Sequence, residues 1–131
     1  MGCALAALAI GHAAAQQKSE KAALAPGAKL YRENCAVCHG NDGKGNGPPP
    51  TSSGFTEPPP DLTTLARRHD GKFPDTYVDS VLRNGVSAPD QGPTEMPVWG
   101  VIFKATTKSD ETKINQRIKS LIDYLRSIQE K

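Results

Sequence analysis

The sequence lacks an excess of charge of either sign. Its 16 Lys and Arg residues against 14 Asp and Glu residues give a formal net charge of +2 over 131 residues, a length typical of one domain. A nucleic-acid-binding protein usually carries a basic stripe or patch. We therefore expect no nucleic acid among the partners, and the charge balance points to no other partner.

Apolar and aromatic residues are also scarce. The chain has one Trp, three Tyr and three Phe, and its hydrophobic content is 37%, whereas it has 11 Pro and 12 Gly. A chain with so few apolar side chains and so many loop residues has difficulty forming a well-packed hydrophobic core by itself. The composition fits either a loose, loop-rich domain or a domain whose core is completed by a large apolar cofactor.

A hydrophobic run long enough to cross a bilayer is missing, since that takes about 20 residues. The short run 4–10 resembles the apolar part of a secretory signal, and the three alanines 13–15 resemble its cleavage site. We predict that 1–15 is a signal peptide. No basic residue precedes Lys18, so either its start is truncated or the start site is misassigned. An uncleaved N-terminal helix is the alternative. The mature chain is expected to have no stable membrane insertion.

Cysteines are few, and two of the three stand in one motif. Cys3 lies in the predicted signal segment, whereas the others form Cys35-Ala36-Val37-Cys38-His39. Two thiols at this spacing could form a disulfide, or could add to the two vinyl groups of one porphyrin and leave His39 beneath the ring. We predict one covalently attached haem c, with His39 as an iron ligand. Because covalent attachment requires export, we expect a periplasmic protein.

Two other uses of paired cysteines are less well supported. A thioredoxin-like redox pair should follow a strand in an α/β pattern, and the sequence shows no strand-like alternation. A structural zinc site needs four ligands. The mature chain offers two Cys and two His, but His69 is distant from the motif and no paired histidine spacing is present.

The second axial ligand could come from Met96 or from His69. Met96 lies in Thr-Glu-Met-Pro-Val-Trp-Gly, where Pro97 stiffens the chain, and a thioether is a soft ligand that raises the potential of haem iron. His69 lies in a polar stretch typical of solvent-exposed chain. We favour Met96 as the ligand, although a lone Met is often an ordinary core residue.

Helical patterns predict an all-α fold with long Gly/Pro loops around the haem. We expect a tether over 16–25 and one domain over 26–131, beginning with a helix that opens at Pro26 and ends near Gly40. Two short helices are predicted over 62–67 and 76–83, capped by Asp61 and Asp75, with Gly85 closing the second. The clearest helix spans 110–129, where apolar residues recur at intervals of three and four: Ile114, Ile118, Leu121, Ile122, Leu125 and Ile128.

Taken together, these features resemble a class I, mono-haem cytochrome c domain of the bacterial secreted type. The resemblance covers 26–131 and rests on six features: Gly27, Tyr31, CAVCHG at 35–40, Gly47-Pro48, MPVWG at 96–100 and LIDYLRSI at 121–128. Of these, the cysteine motif is highly specific.

The resemblance implies several contacts. The first and last helices would cross at Gly27, with Tyr31 and Tyr124 packing nearby. The carbonyl of Pro48, or of Pro49 next to it, would accept a hydrogen bond from Nδ1 of His39. Trp99 would pack against the haem edge near a propionate.

The expected function is electron transfer between redox partner proteins, not enzymatic catalysis. A six-coordinate iron has no open position for substrate, and a partner would dock weakly at the exposed haem edge, where Lys44 is a candidate rim charge. The chain would be a monomer or a complex subunit. A subunit of a dehydrogenase or oxidase is the first alternative. A haem sensor or weak peroxidase is the second, if Met96 does not bind.

Overall fold

The structure is a computed structural model that describes residues 7–47, 58–86 and 96–131, with side chains from residue 13 onward. The described residues form α-helices and two short 3₁₀ turns, and no strand. The helices are α1 (Ala7–Asn34), α2 (Ala36–His39), α3 (Asp75–Asn84), α4 (Trp99–Thr106) and α5 (Glu111–Ser127), and the 3₁₀ turns are Leu62–Thr64 and Arg67–His69. The predicted all-α class is confirmed.

Helix α1 is longer than the sequence predicted. It continues through Pro26 toward the N-terminus, so the segment 16–25, expected to be a tether, is helical. This segment is rich in Ala, Gln, Lys and Glu, which are strong helix formers, and residues 13–23 are exposed to solvent. Within the described residues, no helix is both long and apolar enough to cross a membrane. The division of the chain at residues 15 and 25 stays a prediction.

The crossing of α1 and α5 organises the core. Gly27 approaches α5 so closely that a Cβ there would overlap the carbonyl oxygen of Ser120 and lie 2.8 Å from Cβ of Tyr124. One turn further, the rings of Tyr31 and Tyr124 are 5.2 Å apart. Tyr31 is completely buried. The crossing expected from the resemblance is present.

Helix α5 provides the apolar face on which the rest of the domain packs. Asp110 caps it by accepting a hydrogen bond from the Lys113 backbone N–H at 3.1 Å. Five of the six residues of the predicted apolar stripe are buried, and Ile128 is half-buried: Ile114, Ile118, Leu121, Ile122 and Leu125 form the buried set. The predicted helix is confirmed, with its end at Ser127.

Helices α3 and α4 complete the core, and each differs in part from expectation. Pro74, not Asp75, precedes α3 as its cap, and the carboxylate of Asp75 pairs with Arg126 of α5. Helix α4 was not predicted. Its eight residues are too few for a clear 3.6-residue period, although Trp99 and Phe103 are buried one turn apart.

Candidate functional site

The cysteine motif forms a single helical turn between α1 and the loop that follows it. The backbone N–H of His39 donates to the Cys35 carbonyl at 2.9 Å, and that of Gly40 donates to the Ala36 carbonyl at 2.9 Å. Gly40, with φ at 79°, then turns the chain out of the helix. The turn brings Cys35, Cys38 and His39 together, as the sequence predicted.

Both cysteines of the motif are free thiols, and both are half-buried. Burial, followed by the effect of Cys38, raises the pKa of Cys35 to about 12. Cys35 is therefore a neutral thiol at ordinary pH. The structure thus shows two separate thiols at one-turn spacing, and not a disulfide.

His39 is the only buried histidine among the residues whose side chains are described, with 8% of its surface exposed. Its Nδ1 lies 3.4 Å from the carbonyl oxygen of Pro60. A carbonyl can only accept, so Nδ1 carries the proton and Nε2 has a free lone pair. Burial lowers the pKa of His39, partly offset by the bond to Pro60. The lowered pKa favours the neutral imidazole, which is the form that binds metals.

The acceptor for His39 differs from the sequence-based expectation. Pro48 and Pro49 were the candidates, but they lie outside the described residues, and the carbonyl found at Nδ1 belongs to Pro60. Pro60 is brought there because the chain returns to the motif after the Pro-rich stretch. The N–H of Leu62, two residues later, donates to the Gly43 carbonyl at 2.7 Å.

Met96 lies three residues before α4, and Trp99 is the first residue of that helix. Met96 is half-buried and packs against the same apolar core as Cys35. Trp99 is buried, and its ring lies 5.8 Å from that of Phe103. The structure places Met96 at the core surface, as a ligand requires. Iron binding by Met96 and haem contact by Trp99 remain predictions.

His69, the rival ligand, is exposed to solvent, unlike His39. Its Nδ1 lies 2.8 Å from the Leu65 carbonyl oxygen, and its ring centroid is 5.6 Å from that of Tyr77. The choice between Met96 and His69 as second iron ligand stays a prediction.

Two features of the site were not predicted from the sequence. One is the carbonyl of Pro60, described above. The other is the hydroxyl of Tyr31, which donates to the Gly40 carbonyl at 2.7 Å. Both are contacts between residues distant in sequence, and no local pattern announces them.

The donor set fits a covalently attached haem. Two free thiols stand one turn apart, and the neighbouring buried imidazole has its Nδ1 next to the Pro60 carbonyl, whereas its Nε2 has no hydrogen bond to a described residue. Among the described residues, no group of three or more His, Cys, Asp or Glu could hold a metal ion, so the zinc interpretation gains no support there. This all-helical fold and this turn define a class of protein, the c-type haem proteins.

Comparison with known families agrees with that class. The family model described as Cytochrome c matches residues 24–129. No curated protein and no solved structure matches the chain. The chain belongs to the cytochrome c family, whose haem iron serves electron transfer.

Proposed function

We propose that this protein is an exported, periplasmic electron carrier with one haem c attached through Cys35 and Cys38. The observation that carries the proposal is the helical turn in which two free thiols are followed directly by a buried imidazole, whose Nδ1 contacts the Pro60 carbonyl.

We further propose His39 and Met96 as the axial ligands. When bound, the haem would supply a reversible one-electron couple, and a thioether ligand from Met96 would raise its potential. Pro60 fixes the tautomer and orientation of His39 by accepting from Nδ1. Pro97, directly after Met96, restricts the backbone that presents the sulfur.

Redox partners would dock transiently near the exposed edge of the haem. Lys44 follows the motif closely and is about half exposed, but its ammonium group lies 3.3 Å from the Glu130 carboxylate. This partner reduces the charge that Lys44 presents to an approaching protein. We expect a monomer with weak, small redox interfaces, and a lasting partner would indicate a subunit of a dehydrogenase or oxidase complex.

The proposal is tested by expressing the full chain with haem-attachment machinery and recording visible and near-infrared spectra during a redox titration. We expect the haem to stay bound to the denatured chain. The titration should show a single transition of one electron, and the ferric protein should show a near-infrared band from methionine ligation. Release of the haem on denaturation would show that neither cysteine holds it covalently. A high-spin ferric spectrum, with carbon monoxide binding to the resting ferrous protein, would favour a sensor or peroxidase instead.

A further inference from the structure

Tyr31 holds both ends of the cysteine motif. Its backbone carbonyl accepts from the N–H of Cys35, the first residue of the motif, at 2.8 Å. Its hydroxyl donates to the carbonyl of Gly40, the residue directly after the motif, at 2.7 Å. The side chain is completely buried. One residue thus bridges the five residues that would bind the haem.

The carbonyl that Tyr31 binds has a special position. Gly40 leaves the helix with φ 79° and ψ 158°, so its carbonyl no longer points along the helix axis toward a helical partner. Besides the hydroxyl, it accepts only the N–H of Gly43, at the longer distance of 3.2 Å, among the described residues. Of the two hydrogen bonds that the Gly40 carbonyl accepts from described residues, the one from the Tyr31 hydroxyl is therefore the shorter.

Tyr31 also connects this turn to the body of the protein. Its ring packs at 5.2 Å on Tyr124 of α5, in the same region where Gly27 allows α1 and α5 to cross. Burial raises the pKa of Tyr31, so the hydroxyl stays a proton donor at ordinary pH. The motif turn is thereby tied to the largest helix packing in the domain.

From this geometry we infer that the Tyr31 hydroxyl is a positioning group for His39, holding the end of α2 so that the imidazole keeps a fixed orientation toward iron. The inference rests on the proposed function, because it takes His39 as an axial ligand. Tyr31 itself touches no ligand atom and acts through Gly40.

The test compares Tyr31→Phe with Tyr124→Phe, both as haem-loaded protein. Each variant loses one hydroxyl and keeps the aromatic pair, but the structure gives the Tyr124 hydroxyl no hydrogen bond to a described residue. Tyr31→Phe is expected to fold, since Gly40 keeps the bond from Gly43. Two readouts are used: amide hydrogen exchange across the chain, and the paramagnetically shifted ring resonances of His39 in the ferric protein.

We expect Tyr31→Phe to speed amide exchange about tenfold at Gly43, which donates to the Gly40 carbonyl, and at Gly45, which donates to the His39 carbonyl, as loss of one hydrogen bond implies. The same change should shift the His39 resonances. Amides in the middle of α5 should keep their protection, and Tyr124→Phe should change neither readout. Unchanged His39 resonances in Tyr31→Phe would overturn the inference. So would an equal gain in exchange throughout α5, because Tyr31 would then be an ordinary core residue. A wild-type protein without a haem-ligated His39 would overturn the proposed function as well, whereas the other two results leave that function intact.

Discussion

Gly27 on α1 lies against the Ser120 carbonyl oxygen on α5, with no room between them for a side chain. In an exposed helix, Gly→Ala would raise helix stability by about 1 kcal/mol. Here the added methyl group would force the two helices apart. We expect Gly27→Ala to lower the free energy of unfolding of the haem-loaded protein by about 2–3 kcal/mol, as overpacking of a tight core contact does.

Guanidinium denaturation measures this change. Ser120→Ala is the matched control, because it alters the other residue of the contact while keeping its carbonyl, and its effect should stay within about 0.5 kcal/mol. A Gly27→Ala protein as stable as the wild type would mean that the helices cross less closely than the structure shows.

Gln129 joins the end of α5 to the segment that follows Pro60. Its Oε1 accepts from the Ala66 backbone N–H at 2.8 Å, and its Nε2 donates to the carbonyls of Leu62 and Leu125, each at 2.8 Å. Gln129→Ala removes all three hydrogen bonds, so that the half-buried backbone groups can bond only to water. We expect a loss of about 2 kcal/mol in the free energy of unfolding.

Glu130→Gln is the control for Gln129→Ala. Glu130 forms exposed ion pairs with Lys44 at 3.3 Å and Arg67 at 3.4 Å, and exposed pairs of this kind contribute less than about 1 kcal/mol. The melting temperature of Gln129→Ala should therefore be well below that of Glu130→Gln. The reverse order would show that charge, and not the amide bonds, holds the C-terminus in place.

Asp61 gives the protein a pH-dependent contribution to stability. Its carboxylate accepts from the Thr63 hydroxyl at 2.6 Å and the Thr63 N–H at 2.8 Å, and these bonds hold the pKa of Asp61 below its usual value. The folded state therefore favours the charged form. The stabilisation is fully present above the pKa of Asp61 in the unfolded protein, about 3.9. It is lost as the pH falls through the lower pKa of Asp61 in the folded protein.

Asp61→Asn keeps a side-chain oxygen at the cap but removes the titration. We expect the stability difference between wild type and Asp61→Asn to be largest near neutral pH and to shrink below about pH 4, where the wild-type carboxylate gains a proton. Urea denaturation at several pH values measures this trend. A difference that does not vary with pH would contradict the role given to the carboxylate.

Local patterns in the sequence were sufficient for the features that depend on neighbouring residues. The apolar stripe of α5 repeats over several helical turns, and the attachment motif is contiguous at 35–39. The crossing at Gly27 is different, because a lone glycine has no local pattern, and only the family resemblance indicated its role.

The remaining features depend on long-range contacts or on competing preferences. Pro60 reaches His39 because Leu62 bonds to Gly43 across the Pro-rich stretch, and no spacing rule specifies that return. Helix α1 passes through Pro26 because the residues before it are strong helix formers. Proline is common in the first turn of a helix, but here Pro26 does not mark the start of α1.

Met96→Ala tests the second axial ligand. The haem should remain covalently bound, since Cys35 and Cys38 are unchanged. The reduction potential should fall by a sizeable fraction of the roughly 0.8 V range that axial ligands span, because the thioether stabilises the ferrous state. Redox titration and the ferric near-infrared spectrum measure both effects, and the methionine–iron band should disappear.

His69→Ala is the matched control for Met96→Ala, since it removes the other side chain that could bind iron. Its ring is exposed and held by the Leu65 carbonyl and Tyr77, so neither the potential nor the near-infrared band should change. A reduction potential that falls in His69→Ala but not in Met96→Ala would exchange the two assignments. A band that survives both changes would remove methionine from the iron altogether, because Met96 is the only methionine beyond Met1 in the chain.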